Sequence, residues 1–238
     1  MSTPTKRVAF HTLGCKLNFS ETSSISRNFI EYGYEKVGFN DFADIYVINT
    51  CSVTENADKE TRKLIRRTKR INPDSYIALI GCYAQLKPDE IINLDGVNMV
   101  LGAKEKFNLL NHLHKMDLNN NNKLMLKSEI NDVKTFNPSY SYKDRTRSFL
   151  KVQDGCDYHC TFCTIPRARG ASRSGSINQT IQIAEKIAQT DTKEIVLTGV
   201  NIGDFGTGTT GTFFDLIKKM DKLDGIERIR ISSIEPNL

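Results

Sequence analysis

RSFLKVQDGCDYHCTFCTIP, residues 147–166, runs an apolar stretch straight into three cysteines, Cys156, Cys160 and Cys163. The first half, 147–153, reads as a buried strand and the second as a loop at its carboxyl end. The spacing C-x3-C-x2-C gathers three thiols within eight positions, with no fourth cysteine in reach. A structural zinc site takes four ligands, usually as two C-x2-C pairs, and His159 adjoins Cys160, where neighbouring side chains diverge. A disulfide would leave one thiol over. Three thiolates suit an iron–sulfur cubane whose fourth iron stays open to a substrate or cofactor.

Downstream, a helix over 178–190, a strand EIVLTGV (194–200), a Gly/Thr loop (203–212), a helix near 212–222 and a strand IERIRISS (226–233) follow. That is β-α-β-α-β, with right-handed crossovers expected. Upstream, residues 117–145 contain an Asn run without hydrophobic period, and read as a linker.

The chain ahead of that linker, residues 1–116, alternates again. Strands are expected at 7–11, 44–50, 75–81 and 96–102, with helices near 18–33, 54–70 and 104–115. Asn18 with Glu21, and Ser52 with Glu55, are placed as capping boxes, and Gly33 as a helix stop. Short apolar strands between helices predict a parallel, doubly wound sheet. Cys15, Cys51 and Cys82 each fall just past one of the first three strands. The carboxyl ends of parallel strands share one edge, so these cysteines should converge into a second three-thiol site. Ordinary buried cysteines are the plain alternative.

The helix over 54–70 carries Lys59, Arg62, Lys63, Arg66, Arg67 and Arg70 on one face, opposite Thr61, Leu64 and Thr68. A face of one sign repels itself unless phosphates come near, which leans toward nucleic acid. Elsewhere the composition is ordinary: 238 residues, 39% hydrophobic, 26% charged, net charge +5. No secretory leader or membrane-length apolar run is evident, so a cytoplasmic protein is expected, with its six cysteines as ligands rather than disulfides.

CDYHCTFC resembles the radical S-adenosylmethionine signature, with Phe162 as the aromatic residue before the last cysteine. TLGCKLN, INTCSVTENAD and LIGCYAQ resemble the amino-terminal domain of the methylthiotransferases. KVQDGCDYHCTFCTIPRARG, EIVLTGVNIGDFG and RIRISSIEP resemble the start of their radical domain. The resemblance implies an incomplete radical domain over 146–238, the first half of a partial (β/α)6 barrel. It implies two 4Fe-4S clusters, one on Cys156, Cys160 and Cys163, the other on Cys15, Cys51 and Cys82. S-adenosylmethionine would be bound near Phe162, Thr198, Gly199, Asn201, Ser232 and Glu235, although TGVN stands where Gly-Gly-Glu is common. No catalytic side chain beyond the cluster ligands is implied.

TLGCKLN and SRSGS are most like the branch acting on N6-threonylcarbamoyladenosine in tRNA, next to the anticodon. Branches acting on isopentenyladenosine, or on an aspartate of a ribosomal protein, are the alternatives. Arg62, Arg66, Arg67, Arg70, Arg167 and Arg169, with Arg173 nearby, are the expected RNA contacts. The family picture adds an electron donor, a sulfur donor and a monomeric enzyme, with 238 residues reading as a piece of a longer protein. A non-catalytic iron–sulfur module that senses redox state and holds nucleic acid is the reading from another class.

Overall fold

The computed structural model describes residues 5–51, 55–116, 122–142, 146–207 and 211–234. They form two compact units: residues 1–18 with 25–132, and residues 19–24 with 133–238.

In the first unit, β1 (Arg7–Thr12), β2 (Glu35–Val37), β3 (Ile45–Thr50), β4 (Tyr76–Gly81), β5 (Met99–Leu101) and β6 (Leu124–Leu126) form one sheet. Its order is β2-β1-β3-β4-β5-β6, and every pairing is parallel. All of β3 and β4 is buried, because successive side chains feed two cores on opposite faces. Ile45, Val47, Ala78 and Ile80 meet Ile25 and Phe29 of α1 (Lys16–Glu31) and Leu109 and Leu113 of α5 (Leu109–His114). Ile48, Ile77 and Leu79 meet Leu64 and Ile65 of α2 (Glu55–Ile71), Tyr83 and Ala84 of α3 (Cys82–Leu86), and Ile91 of α4 (Pro88–Ile92). The doubly wound sheet is thus as expected, extended by β2 and β6.

Several local expectations are corrected. Leu124–Leu126 lies within the supposed linker, yet pairs with β5 and completes the sheet. The first helix begins at Lys16 with Cys15 as its N-cap and no capping side chain. Asn18 is inside that helix, so its capping box with Glu21 does not exist. The closing helix is a 3-10 turn, Lys106–Asn108, continued by α5. The cap expected at Ser52 lies outside the described residues.

The second unit holds β7 (Ser139–Tyr140), β8 (Ser148–Lys151), β9 (Gln153–Asp154), α6 (Ile165–Arg169), β10 (Arg173–Ser174), α7 (Ile177–Ala188), β11 (Glu194–Thr198), α8 (Phe213–Met220) and β12 (Arg228–Ile231). Its main sheet runs β12-β11-β8-β7, parallel except for the β7–β8 pair. Ser176 caps α7 through the Gln179 amide, and Thr212 with Asp215 forms a capping box for α8. These two helices lay Ala184, Ile187, Leu216 and Met220 on Leu150, Ile195 and Leu197. Expected strand 147–153 divides in two: Val152 breaks the ladder, and β9 pairs instead with β10.

Candidate functional site

Sheet order locates the first cysteine triad. Chain progression reverses between β1 and β3: α1 carries the chain out to β2, and β3 then lies on the other side of β1. Such a switch point, at the carboxyl ends of the strands, is where open parallel sheets bind ligands. Cys15 follows β1, Cys51 follows β3, and Cys82 follows β4, the next strand over. Cys15 is exposed, Cys51 half-buried and Cys82 buried, and none is in a disulfide.

Close packing here depends on Gly14, whose φ is +92°. A Cβ there would stand 2.7 Å from Cys51 Cβ and 2.8 Å from its Sγ. Backbone next to Cys15 therefore lies directly on Cys51. Asn18 ties the two strand ends together, its Nδ2 donating to Leu13 O at 2.9 Å and Thr50 O at 3.1 Å.

The second triad is local. Cys156, Cys160 and Cys163 occupy the loop between β9 and α6, half-buried, exposed and half-buried respectively, all as free thiols. The Cys163 amide donates to Cys160 O, which turns the loop on itself, and the Cys156 amide donates to Gly170 O beyond α6. Gly155 has φ +74°, and a Cβ there would collide with the carbonyl oxygens of Gly170 and Ala171. Burial pushes the Cys156 thiol up, and the neighbouring Asp204 carboxylate adds to this. Among the described residues, no three His, Cys, Asp or Glu side chains are gathered closely enough to hold a metal ion as they stand. The donor chemistry of each triad nevertheless suits a thiolate-bound cluster: three free thiols, with a polar group beside the second triad left to serve a ligand.

That polar group comes from the loop after β11. Asn201 is 3% exposed, and by strict geometry neither atom of its carboxamide, nor Oδ2 of Asp204, has a hydrogen-bond partner among the described residues. The carboxamide nevertheless stands close enough to the Asp204 carboxyl to act on it, as does Ser172. Burial first, and the Asp157 charge second, raise the Asp204 carboxyl above the usual carboxylate range. Buried polar atoms without partners are costly, and they mark places where a ligand completes the bonding.

The other expected cofactor residues divide. Thr198 donates its hydroxyl to Leu150 O at 3.1 Å, and Ser232 donates to Leu197 O at 2.9 Å, so both act as strand-end ties. Phe162 projects outward at 89% exposure. Gly199 lies against Gln153, where a Cβ would be 2.8 Å from Oε1. Glu235 is outside the described residues.

Beneath the cysteine loop sits a buried ionic cluster within the second unit. Asp154 receives Arg169 at 2.8 Å, Arg173 at 3.2 Å and Lys151 at 3.3 Å. Glu21, one of the six α1 residues grouped with this unit, receives Lys151 at 2.9 Å and Arg169 at 3.2 Å. Arg169 is 2% exposed, which corrects its expected role: its guanidinium is used inside the protein and faces no RNA. Arg173 is similarly committed, donating also to the carbonyls of Thr135, Arg169 and Ala171. Arg167 remains exposed. Charge spacing alone could not separate these three, since Arg167 and Arg169 point different ways on α6 and Arg173 lies beyond it on β10.

On α2 the basic face is real: Lys63, Arg66, Arg67 and Arg70 are exposed, while Thr61, Leu64, Ile65 and Thr68 are buried. Arg62 is partly withdrawn by Glu90, at 2.7 Å. Arg62, Arg66, Lys69 and Arg70 line a cleft of about 350 Å³ with Ile65, Leu94 and Asp95.

Comparison with known proteins gives one family match in each unit. Residues 7–102 match the uncharacterized protein family UPF0004, and residues 150–238 match the radical SAM superfamily. The threonylcarbamoyladenosine tRNA methylthiotransferase of Bacillus subtilis is 42% identical over 96% of this chain and 51% of its own. That of Aquifex aeolicus is 40% identical over 96% and 56% respectively. The chain thus spans about half the length of these curated relatives. A structure of the radical S-adenosylmethionine methyltransferase TsrM from Kitasatospora setae, described with cobalamin and a [4Fe-4S] cluster bound, shares the fold. Its TM-score is 0.57 at 13% identity, over 84% of this chain and 50% of that one. The chain thus carries a match to the UPF0004 family ahead of a match to the radical SAM superfamily, and over nearly its whole length it is similar to curated tRNA methylthiotransferases.

Proposed function

We propose that this chain is the cluster-bearing part of a tRNA methylthiotransferase that places a methylthio group at C2 of N6-threonylcarbamoyladenosine, next to the anticodon. The observation that carries the reading is the pair of cysteine triads, none of them in a disulfide, one at the carboxyl ends of the parallel sheet of the first unit and the other in the loop between β9 and α6. Cys156, Cys160 and Cys163 would hold a 4Fe-4S cluster, and Cys15, Cys51 and Cys82 a second one. When bound, the first cluster and S-adenosylmethionine supply a radical able to break a C–H bond that has neither an acidic proton nor a leaving group.

The protein's own share is binding and orientation. The Asn201 carboxamide and the Asp204 carboxylate offer an acceptor-rich wall for the amino end of S-adenosylmethionine, next to Cys156. Gly14, Gly155 and the stapled strand ends keep both cysteine regions in place before anything binds. Arg66, Arg67, Arg70 and Arg167 provide exposed positive charge for the tRNA backbone. An external electron donor and a sulfur donor complete the reaction, with the enzyme acting as a monomer.

Mass spectrometry of tRNA nucleosides from cells lacking the gene tests this directly. Loss of the methylthio form of threonylcarbamoyladenosine is expected. Unchanged tRNA methylthiolation would overturn the assignment.

A further inference from the structure

Three residues ahead of Cys156, within the KVQDGC stretch, Gln153 is fully buried. Its Oε1 accepts from the Val200 amide at 2.8 Å and the Asn201 amide at 2.9 Å. Its Nε2 donates to Gly155 O at 2.7 Å and Ser172 Oγ at 2.9 Å, with Asp154 O at 3.2 Å as a longer third contact. The orientation of the carboxamide is fixed by its partners. Backbone N–H groups can only donate and carbonyls can only accept, so oxygen and nitrogen are not interchangeable here. Both lone pairs of the oxygen are used.

Three segments meet at this one side chain. Gly155 O belongs to the start of the cysteine loop, Ser172 to the return after α6, and Val200 and Asn201 to the loop that ends β11. Gly199 leaves the room for it: a Cβ at 199 would be 2.8 Å from Gln153 Oε1 and 3.1 Å from Gln153 Cβ. The last backbone bond between these strands is the Val152 amide to Thr198 O at 3.0 Å; β8 stops at Lys151 and β11 at Thr198, so the ladder ends before residues 199–201. Without Gln153, the amides of Val200 and Asn201 and the carbonyl of Gly155 would each need another partner in a dry environment.

We propose that Gln153 is a positioning residue for S-adenosylmethionine, locking the 199–201 loop, and with it the buried Asn201 carboxamide, onto the loop that carries Cys156. This rests on the reading of the second unit as the S-adenosylmethionine site. The side chain touches neither cofactor nor cluster ligand; it acts through Asn201 and Gly155.

The test uses the 238-residue chain reconstituted anaerobically with iron and sulfide, as wild type, Gln153→Met, Gln153→Glu and Lys186→Ala. Three quantities are read: iron bound, the dissociation constant for S-adenosylmethionine by equilibrium dialysis, and amide hydrogen exchange at Val200 and Asn201. Gln153→Met should bind wild-type iron, lose exchange protection at both amides, and bind S-adenosylmethionine at least about tenfold more weakly. Gln153→Glu keeps the acceptor for both amides, so protection should persist, while affinity falls because a second acceptor faces Gly155 O. Lys186→Ala, an exposed change on α7, should stay within about twofold of wild type. Where Gln153→Met does not fold, the near-isosteric Gln153→Glu carries the affinity measurement. Wild-type affinity and protection in a folded Gln153 variant would overturn the proposal. If the wild type itself binds no S-adenosylmethionine, the functional reading fails, and the exchange measurement still decides whether Gln153 holds the loop.

Discussion

The two cysteine regions are assembled by opposite routes. In the first unit the triad is drawn from positions 15, 51 and 82, and only the strand order β1-β3-β4 makes them neighbours. In the second, eight consecutive positions suffice, and the scaffold's task is to hold one loop. The supporting devices differ accordingly. Asn18 pins two strand ends through neutral hydrogen bonds on a sheet buried on both faces, so the rest of the geometry comes from the cores. The cysteine loop instead rests on a buried ionic cluster and on Gln153, with one helical layer behind it. A site assembled by topology inherits rigidity from the sheet, whereas a site carried on a loop needs dedicated polar ties.

That contrast is sharpest at Asp154. Three cations converge on it, and its Oδ1 also accepts the Gly155 amide at 2.9 Å. Asp154→Ala leaves buried positive charge uncompensated and should cost the second unit about 3–5 kcal/mol, measured by urea denaturation. A cost near that of an exposed change would mean that the cluster does not support the loop.

Asn18→Ala is the counterpart in the first unit. It removes two hydrogen bonds from a buried amide and should cost about 1–3 kcal/mol, with the sheet persisting by circular dichroism. If it proved more damaging than Asp154→Ala, the claim that topology protects the first site would fail.

Nucleic-acid binding separates the units differently. Removing the exposed pair Arg66 and Arg70 should weaken tRNA binding and lower the slope of log affinity against log salt by about 1.4–1.8, read from filter binding. Arg169→Lys should leave that slope unchanged, since Arg169 is buried in the ionic cluster. A fall in slope with Arg169→Lys would return that residue to the RNA surface.

The smallest effect concerns the Glu105–His112 pair of the first unit, 2.9 Å apart. The hydrogen bond from His112 holds the Glu105 carboxyl below its ordinary range. A depressed carboxyl stabilises the fold above the unfolded-state value and loses that contribution as pH falls through the depressed one. Wild type should therefore exceed Glu105→Gln by up to about 1 kcal/mol near neutrality, and the two should converge as pH falls through and below the depressed Glu105 range. A constant difference across that range would assign the effect to packing.

Sequence patterns made the sheets legible because these rest on strong, short-range signals, apolar strands and helix periods, and that reading placed Cys15, Cys51 and Cys82 at strand ends. They misplaced features that depend on what lies across the fold. Leu124–Leu126 is too short and too polar in its surroundings to read as a strand, and only pairing with β5 makes it one. Arg169 and Arg167 are two positions apart with the same charge, yet one is buried against Asp154 and Glu21 and the other is exposed. The ties made by Gln153 could not be seen, since its four firmest partners lie on three segments up to 48 positions away. The buried state of Asn201 was equally hidden, although the position itself was singled out.

The most direct measurement of the account is iron content after anaerobic reconstitution of two triple variants. With Cys156, Cys160 and Cys163 replaced by Ala, about half the iron should remain and S-adenosylmethionine cleavage should vanish. With Cys15, Cys51 and Cys82 replaced, about half should again remain, with cleavage intact. Full iron in the second variant would contradict a cluster at the strand ends of the first unit.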